Sequence, residues 1–284
     1  MFYRVSILIP ALCAAALAWD NTPLDQGFRH MYNLEFVQAH ETFHEWQRAY
    51  PSDPMGPVSD AAAYLFAEFD RLHILQSEFF THDQHFITDH RLAPDPGLKR
   101  DFQAALQAAR TLSTQAPSDR NGQFAGILCD GLESDYLALI EKRYAAAFRA
   151  MKSARMRAEQ LVAADPSFYD AWLAVGVENY MLSIKPAPVR WLLRLGGGRA
   201  DRSLGIEKLR LTAERGHYLA PFAKLMLAVA ALRDRDTTRA RALLEGLTKD
   251  YPRNRLYAEE LSRLDGRAAR PSALRPNALR NGSR

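Results

Sequence analysis

Cysteine is scarce in this chain, with only Cys13 and Cys129 among 284 residues. Cys13 lies in an N-terminal apolar run, so Cys129 is left alone in the body, no internal disulfide forms there, and packing must supply the stability. That run, Val5 to Ala15, is too short for a comfortable membrane span. Strand-like alternation of apolar and polar residues is missing, which argues against a sheet. No G-x-S-x-G elbow appears, and no Lys-Ser/Thr follows the glycines at 196–198, so a hydrolase nucleophile and a P-loop are both unsupported. A charge excess is missing too, despite the net +4. Beyond Leu264 there are five arginines (267, 270, 275, 280, 284) against Asp265, and Arg4 stands near the start, which leaves 19–264 at −1. A near-neutral body excludes a nucleic-acid-binding face.

What is present begins with a leader. Arg4 supplies a positive charge, Val5–Ala15 an apolar stretch, and Ala16-Leu17-Ala18 a cleavage site before Trp19. Residues 1–18 therefore read as a signal peptide, and the mature chain as exported, periplasmic or extracellular. Leu12 stands before Cys13 where a lipoprotein site carries a small residue, which argues against lipidation. The far end, 265–284, is Arg-rich, punctuated by Pro and Gly and without periodicity, so disorder is expected. Its charge suits an anionic envelope surface.

Between these ends one pattern occurs four times: Ala39/Phe43/Trp46/Pro51, Ala105/Ala109/Leu112/Pro117, Ala154/Ala158/Leu161/Pro166 and Ala240/Leu244/Leu247/Pro252. Steps of four and three keep the first three residues on one helix face. The small Ala admits a neighbouring helix, and the Pro sets where each helix stops.

This pattern resembles the second helix of a tetratricopeptide repeat. The first-helix half is clearest at Trp172, Val175, Gly176 and Tyr180, with the aromatic one position late. The resemblance covers most of 24–264. It implies an all-α, tetratricopeptide-like superhelix of about five helix pairs, some degenerate, with two insertions at 81–95 and after Trp172. It also implies a protein- or peptide-binding scaffold without catalysis or cofactor. By the same resemblance, Asp170, Leu173, Val177 and Tyr180 would be exposed on a concave, partner-binding face. The Lys/Asn set that clamps a C-terminal carboxylate in some such proteins is missing.

Read for caps and breaks, the first pair spans about Asp25 to Ala49. Ser59 or Asp60 caps a long helix through about Phe80. Asp95-Pro96 opens the next helix and Asp119 another. Tyr136 to Val162 is one long helix or two joined near Lys152. Lys185-Pro186-Ala187-Pro188 breaks the chain before a short turn carrying Arg190, Trp191 and Arg194, read as a contact patch or a packed flap. A degenerate pair ends at Gly216, His217-Tyr218 packs as a turn, and a last pair runs from Leu219 to Lys249. A polar-faced helix from Leu256 to Leu264 closes the stack.

A second reading competes. His40-Glu41-Thr42-Phe43-His44 matches H-E-x-x-H, in which two histidines one turn apart bind zinc and the Glu activates a metal-bound water. Glu68 is the candidate third ligand, with Asp70 and His73 as others. Seven of the eight histidines lie between residues 30 and 90, including His82, His85 and His90 in the first insertion. The alternative is thus a secreted zinc metallopeptidase with Glu41 as base. Against it, Ala39, Phe43 and Trp46 claim the buried face of the same helix, which places the histidines on its flank. Cys129 reads as a buried thiol.

Overall fold

The computed structural model describes residues 22–75, 92–115 and 117–268. Among them the chain is all-α, with twelve α-helices and no strand. These are α1 (Pro23–Tyr32), α2 (Phe36–Ala49), α3 (Met55–Arg71), α4 (Pro96–Gln115), α5 (Arg120–Asp135), α6 (Tyr144–Ala164), α7 (Trp172–Ser183), α8 (Ala187–Leu195), α9 (Arg202–Arg215), α10 (Ala220–Arg233), α11 (Thr237–Asp250) and α12 (Arg255–Ala268). The leader 1–18, His82, His85, His90 and the chain beyond Ala268 lie outside the described residues. α12 continues past Leu264 to Ala268.

Each Pro of the fourfold pattern stands two residues past a helix end. α2 stops at Ala49 before Pro51, α4 at Gln115 before Pro117, α6 at Ala164 before Pro166, and α11 at Asp250 before Pro252. The proline ring bars its predecessor from helical backbone. Accordingly Tyr50, Asp165 and Tyr251 have extended φ values of −132°, −138° and −131°. The pattern's Ala39, Ala109, Ala154, Ala158 and Ala240 are all buried, as are Phe43, Leu161, Leu244 and Leu247. Trp46 is only half-buried, stacked on Tyr50 and donating Nε1–H to Asp53 at 3.0 Å.

Several starts follow the capping chemistry. Thr22 and Asp25 form a reciprocal capping box around Pro23. Asp95 caps α4 by accepting the Leu98 N–H, and Asp119 caps α5 by accepting that of Gly122. Others differ from expectation. Ser59 and Asp60 are buried inside α3, which begins at Met55 and carries Pro57 in its first turn, where no amide is needed. α3 also stops at Arg71, and His73 takes a left-handed φ of 58° in the turn that follows. The expected joint near Lys152 lies instead at 136–143. There α5 passes into a π-turn (Tyr136–Ile140), and Lys142 reverses the chain at φ 57°.

Most consecutive helices pack on one another along the chain, with α7 packing directly on α9 across α8. The backbones of α7 and α9 approach closely at two glycines. A Cβ on Gly176 would lie 2.9 Å from the Leu209 backbone nitrogen, and one on Gly205 would lie 2.6 Å from that of Tyr180. Only glycine fits at either place.

The two ends of the array also meet. Tyr32 donates its hydroxyl to the Tyr218 carbonyl at 2.9 Å, and Asn254 donates Nδ2–H to the Tyr32 carbonyl at 2.8 Å. Phe28 packs on Tyr218, Phe66 on Phe222 and Tyr32 on Tyr251. Arg253 pairs with Glu35, and Arg255 with Asp70. One apolar core consequently extends from Leu24 to Leu264, with a smaller cluster around Tyr180, Leu209 and Leu227 beside it. These contacts depart from a stack in which each pair touches only its neighbours.

Candidate functional site

The H-E-x-x-H helix is α2. With Ala39 and Phe43 fully buried, His40 falls on the flank and His44 and Glu41 face outward. Across from them stands Asp60, buried on α3. His40 donates Nδ1–H to Asp60 Oδ1 at 2.6 Å, and His44 donates Nε2–H to Asp60 Oδ2 at 3.0 Å. One carboxylate thus accepts from both rings. The His40 ring also packs on Tyr64, their centroids 4.0 Å apart. Burial, aided by Asp60 and Asp101, holds the Tyr64 hydroxyl above its ordinary range.

Glu68 is not brought to this pair. It lies two turns further along α3, buried, where it accepts from Arg71 Nε and Nη2 at 2.7 and 2.8 Å and from the Asp95 N–H at 2.8 Å. It joins the end of α3 to the start of α4. Asp70 is paired with Arg255, and His73 is exposed. No set of three His, Cys, Asp or Glu among the described residues is placed to hold a metal ion.

The expected partner-binding face is largely interior. Tyr180 is buried under α9 in the smaller cluster. Asp170 is buried in the short turn before α7 and accepts three backbone amides, from His217, Tyr218 and Leu219, at 2.9 to 3.1 Å. Burial still holds its carboxyl above the usual range. Leu173 and Val177 are half-buried. These positions face the next helix pair because α9 and α10 close over them. Of the five positions expected to bind a partner, Trp191 alone is fully exposed.

Three acidic groups lie away from the H-E-x-x-H pattern. Glu178, fully buried, accepts from Arg155 Nε at 2.9 Å and from the Arg199 N–H at 3.0 Å. Burial raises its carboxyl, and these partners oppose the rise. Asp25 closes the capping box on α1 and accepts His217 Nε2–H at 2.6 Å, which ties α1 to the turn before α10. Asp135 is half-buried at the end of α5 with no hydrogen bond or ion pair among the described residues. Burial pushes its carboxyl from 3.8 up to about 7. Spacing signals Asp25 through the Thr22-x-x-Asp25 capping pattern, but gives no sign of Glu178 or Asp135. The one signal is an acidic residue inside an apolar run, as at Asp60 in Val58–Leu65. Cys129 is buried, and burial pushes its thiol up to about 12, which leaves it unreactive at neutral pH.

α8 differs from every other helix. None of its residues is buried, and its substantial helix contact is with α7 alone. Val189, Trp191, Leu192 and Leu195 are 43%, 64%, 64% and 67% exposed. They make up four of the eight large apolar side chains exposed among the described residues. No family model matches the chain, and no curated protein matches it.

Proposed function

We propose that the chain is an exported helical-repeat scaffold of the tetratricopeptide kind, which holds another protein or peptide and performs no chemistry itself. The employment of its acids and bases supports this best. His40, His44 and Asp60 bond one another, Glu68 is held by Arg71, Glu178 by Arg155, and Asp170 by backbone amides. Most of these contacts tie one helix or turn to another, so these groups are engaged in positioning the array. Glu41, the general base of the peptidase reading, faces solvent. Stacked helix pairs serve widely as recognition scaffolds, and this part of the reading is an analogy of architecture. The repeat-like pattern and the signal-like leader support the same reading, with its work in the periplasm or outside the cell.

The test is metal content and capture together. Untagged protein dialysed against a weak chelator should retain far less than one zinc per chain, and Glu41→Gln should leave its behaviour unchanged. Crosslinking in an envelope extract should then trap a defined protein partner. One zinc per chain, lost in His44→Ala, would instead put the peptidase reading first.

A further inference from the structure

At 100° per residue, Trp191, Leu195, Pro188, Leu192 and Val189 share one arc of roughly 160° on α8. All five are exposed. The opposite side carries Leu193 and Arg190, which are half-buried against the body. Arg190 donates Nη1–H to the carbonyls of Lys185 and Ser183, at 2.9 and 3.4 Å. The helix is therefore amphipathic in reverse, with a basic group turned inward and the apolar face outward.

It is also held firmly in that attitude. Lys152 donates to the Gly196 carbonyl at 2.9 Å, and the glycine loop packs on Phe148 so closely that a Cβ on Gly198 would lie 2.8 Å from its ring. Beneath it, Glu178 and Asn179 fasten the chain at Arg199 and Asp201.

The charge carried by this segment itself has one sign, with Glu159 and Glu178 beside it engaged by Arg199 and Arg155. Residues 179–200 contain Lys185, Arg190, Arg194 and Arg199 and no acidic residue. Lys152, Arg190 and Arg194 form no ion pair among the described residues; Arg194 donates only to the Ala200 carbonyl. Tyr144 and Met156, on α6 with Phe148 and Lys152 at four-residue steps, are exposed as well.

We propose that α8 docks on an anionic lipid surface, lying in the plane of the headgroups with Trp191, Leu192 and Leu195 inserted and Arg194 and Lys152 over lipid phosphates. A convex ridge of Trp and Leu rimmed by unpaired cations fits a bilayer directly, whereas a protein partner would have to supply both an apolar groove and an acidic rim. No helix of the described residues is long and apolar enough to cross a membrane. This goes beyond the protein-binding reading and stands independently of it.

The full-length chain is sedimented with vesicles of phosphatidylcholine mixed with phosphatidylglycerol, and with phosphatidylcholine alone. The expected result is binding to the mixed vesicles that weakens with salt. Trp191→Ser/Leu192→Ser/Leu195→Ser should reduce it about tenfold or more, since interfacial binding scales with buried apolar area. The melting temperature should not fall, because none of the three is buried. Arg194→Gln should weaken binding and flatten its salt dependence. Trp191→Phe should bind normally but lose the blue-shifted fluorescence that inserted tryptophan gives. Three results would overturn the proposal. One is no binding to either vesicle. Another is undiminished binding by the triple variant, which would move the contact to the leader or the Arg-rich tail. The third is a triple variant that loses self-association or a captured protein while the parent ignores vesicles.

Discussion

Asp135 ends α5 without a hydrogen-bond partner among the described residues, and its raised carboxyl carries a stability consequence whose sign is fixed. The folded chain favours the protonated form, so the group's contribution is fullest below pH 4. It is lost as pH rises through 4 toward about 7. At pH 8 the ionised side chain costs the fold about 2–4 kcal/mol at 1.36 kcal/mol per pKa unit. Asp135→Asn should accordingly stabilise the protein at pH 8 and change little at pH 4.5, as read from urea melts at the two values. Equal effects at both would contradict the assignment. His40 and His44 teach a related lesson. Their spacing on α2 was plain in the sequence, but the group that answers them was not. Asp60 comes from another helix, and only the packing of α2 on α3 brings its carboxylate between the rings. Asp170 was misplaced for the same reason. The repeat resemblance put it on an exposed concave face, but three amides from a turn more than forty residues away draw it inside.

At the level of elements, what could be read was local. Helix stops before Pro51, Pro117, Pro166 and Pro252, and caps at Asp95 and Asp119, follow from backbone sterics and side-chain hydrogen bonding within a few residues. The joint at 136–143 was not readable, because the apolar stripe of Leu137, Ile140 and Tyr144 continues through it. Lys142, a non-glycine residue in left-handed backbone, gives no compositional sign. At the α7–α9 crossing Gly176 stood out in the sequence through its resemblance to a repeat pattern, but its partner Leu209 did not. Gly176→Ala should push Leu209 away and cost about 1–3 kcal/mol, the usual penalty of overpacking. Gly246, beside which a Cβ meets nothing within 4 Å, is the control, and Gly246→Ala should be neutral or slightly stabilising in thermal melts.

For the whole molecule, the sequence indicated a run of helix pairs but not that the first meets the last. The contacts of Tyr32 with Tyr218 and Asn254 span about two hundred residues and have no periodic signature. Pairing across that distance is a property of how each pair is rotated on the next, which a repeat motif leaves open. An open array of helix pairs frays: its end units melt first, and hydrogen exchange grades from terminus to centre. Here the hydroxyl of Tyr32, the amide of Asn254 and the ring of His217 remove the free termini from which fraying would begin. Removing α12 should therefore expose amides in α1 to exchange as readily as those in the adjacent α11, and the intact chain should melt in a single transition. With its first helices tied to its last the array has no weakest end, so the protein should hold its shape as one unit or lose it as one.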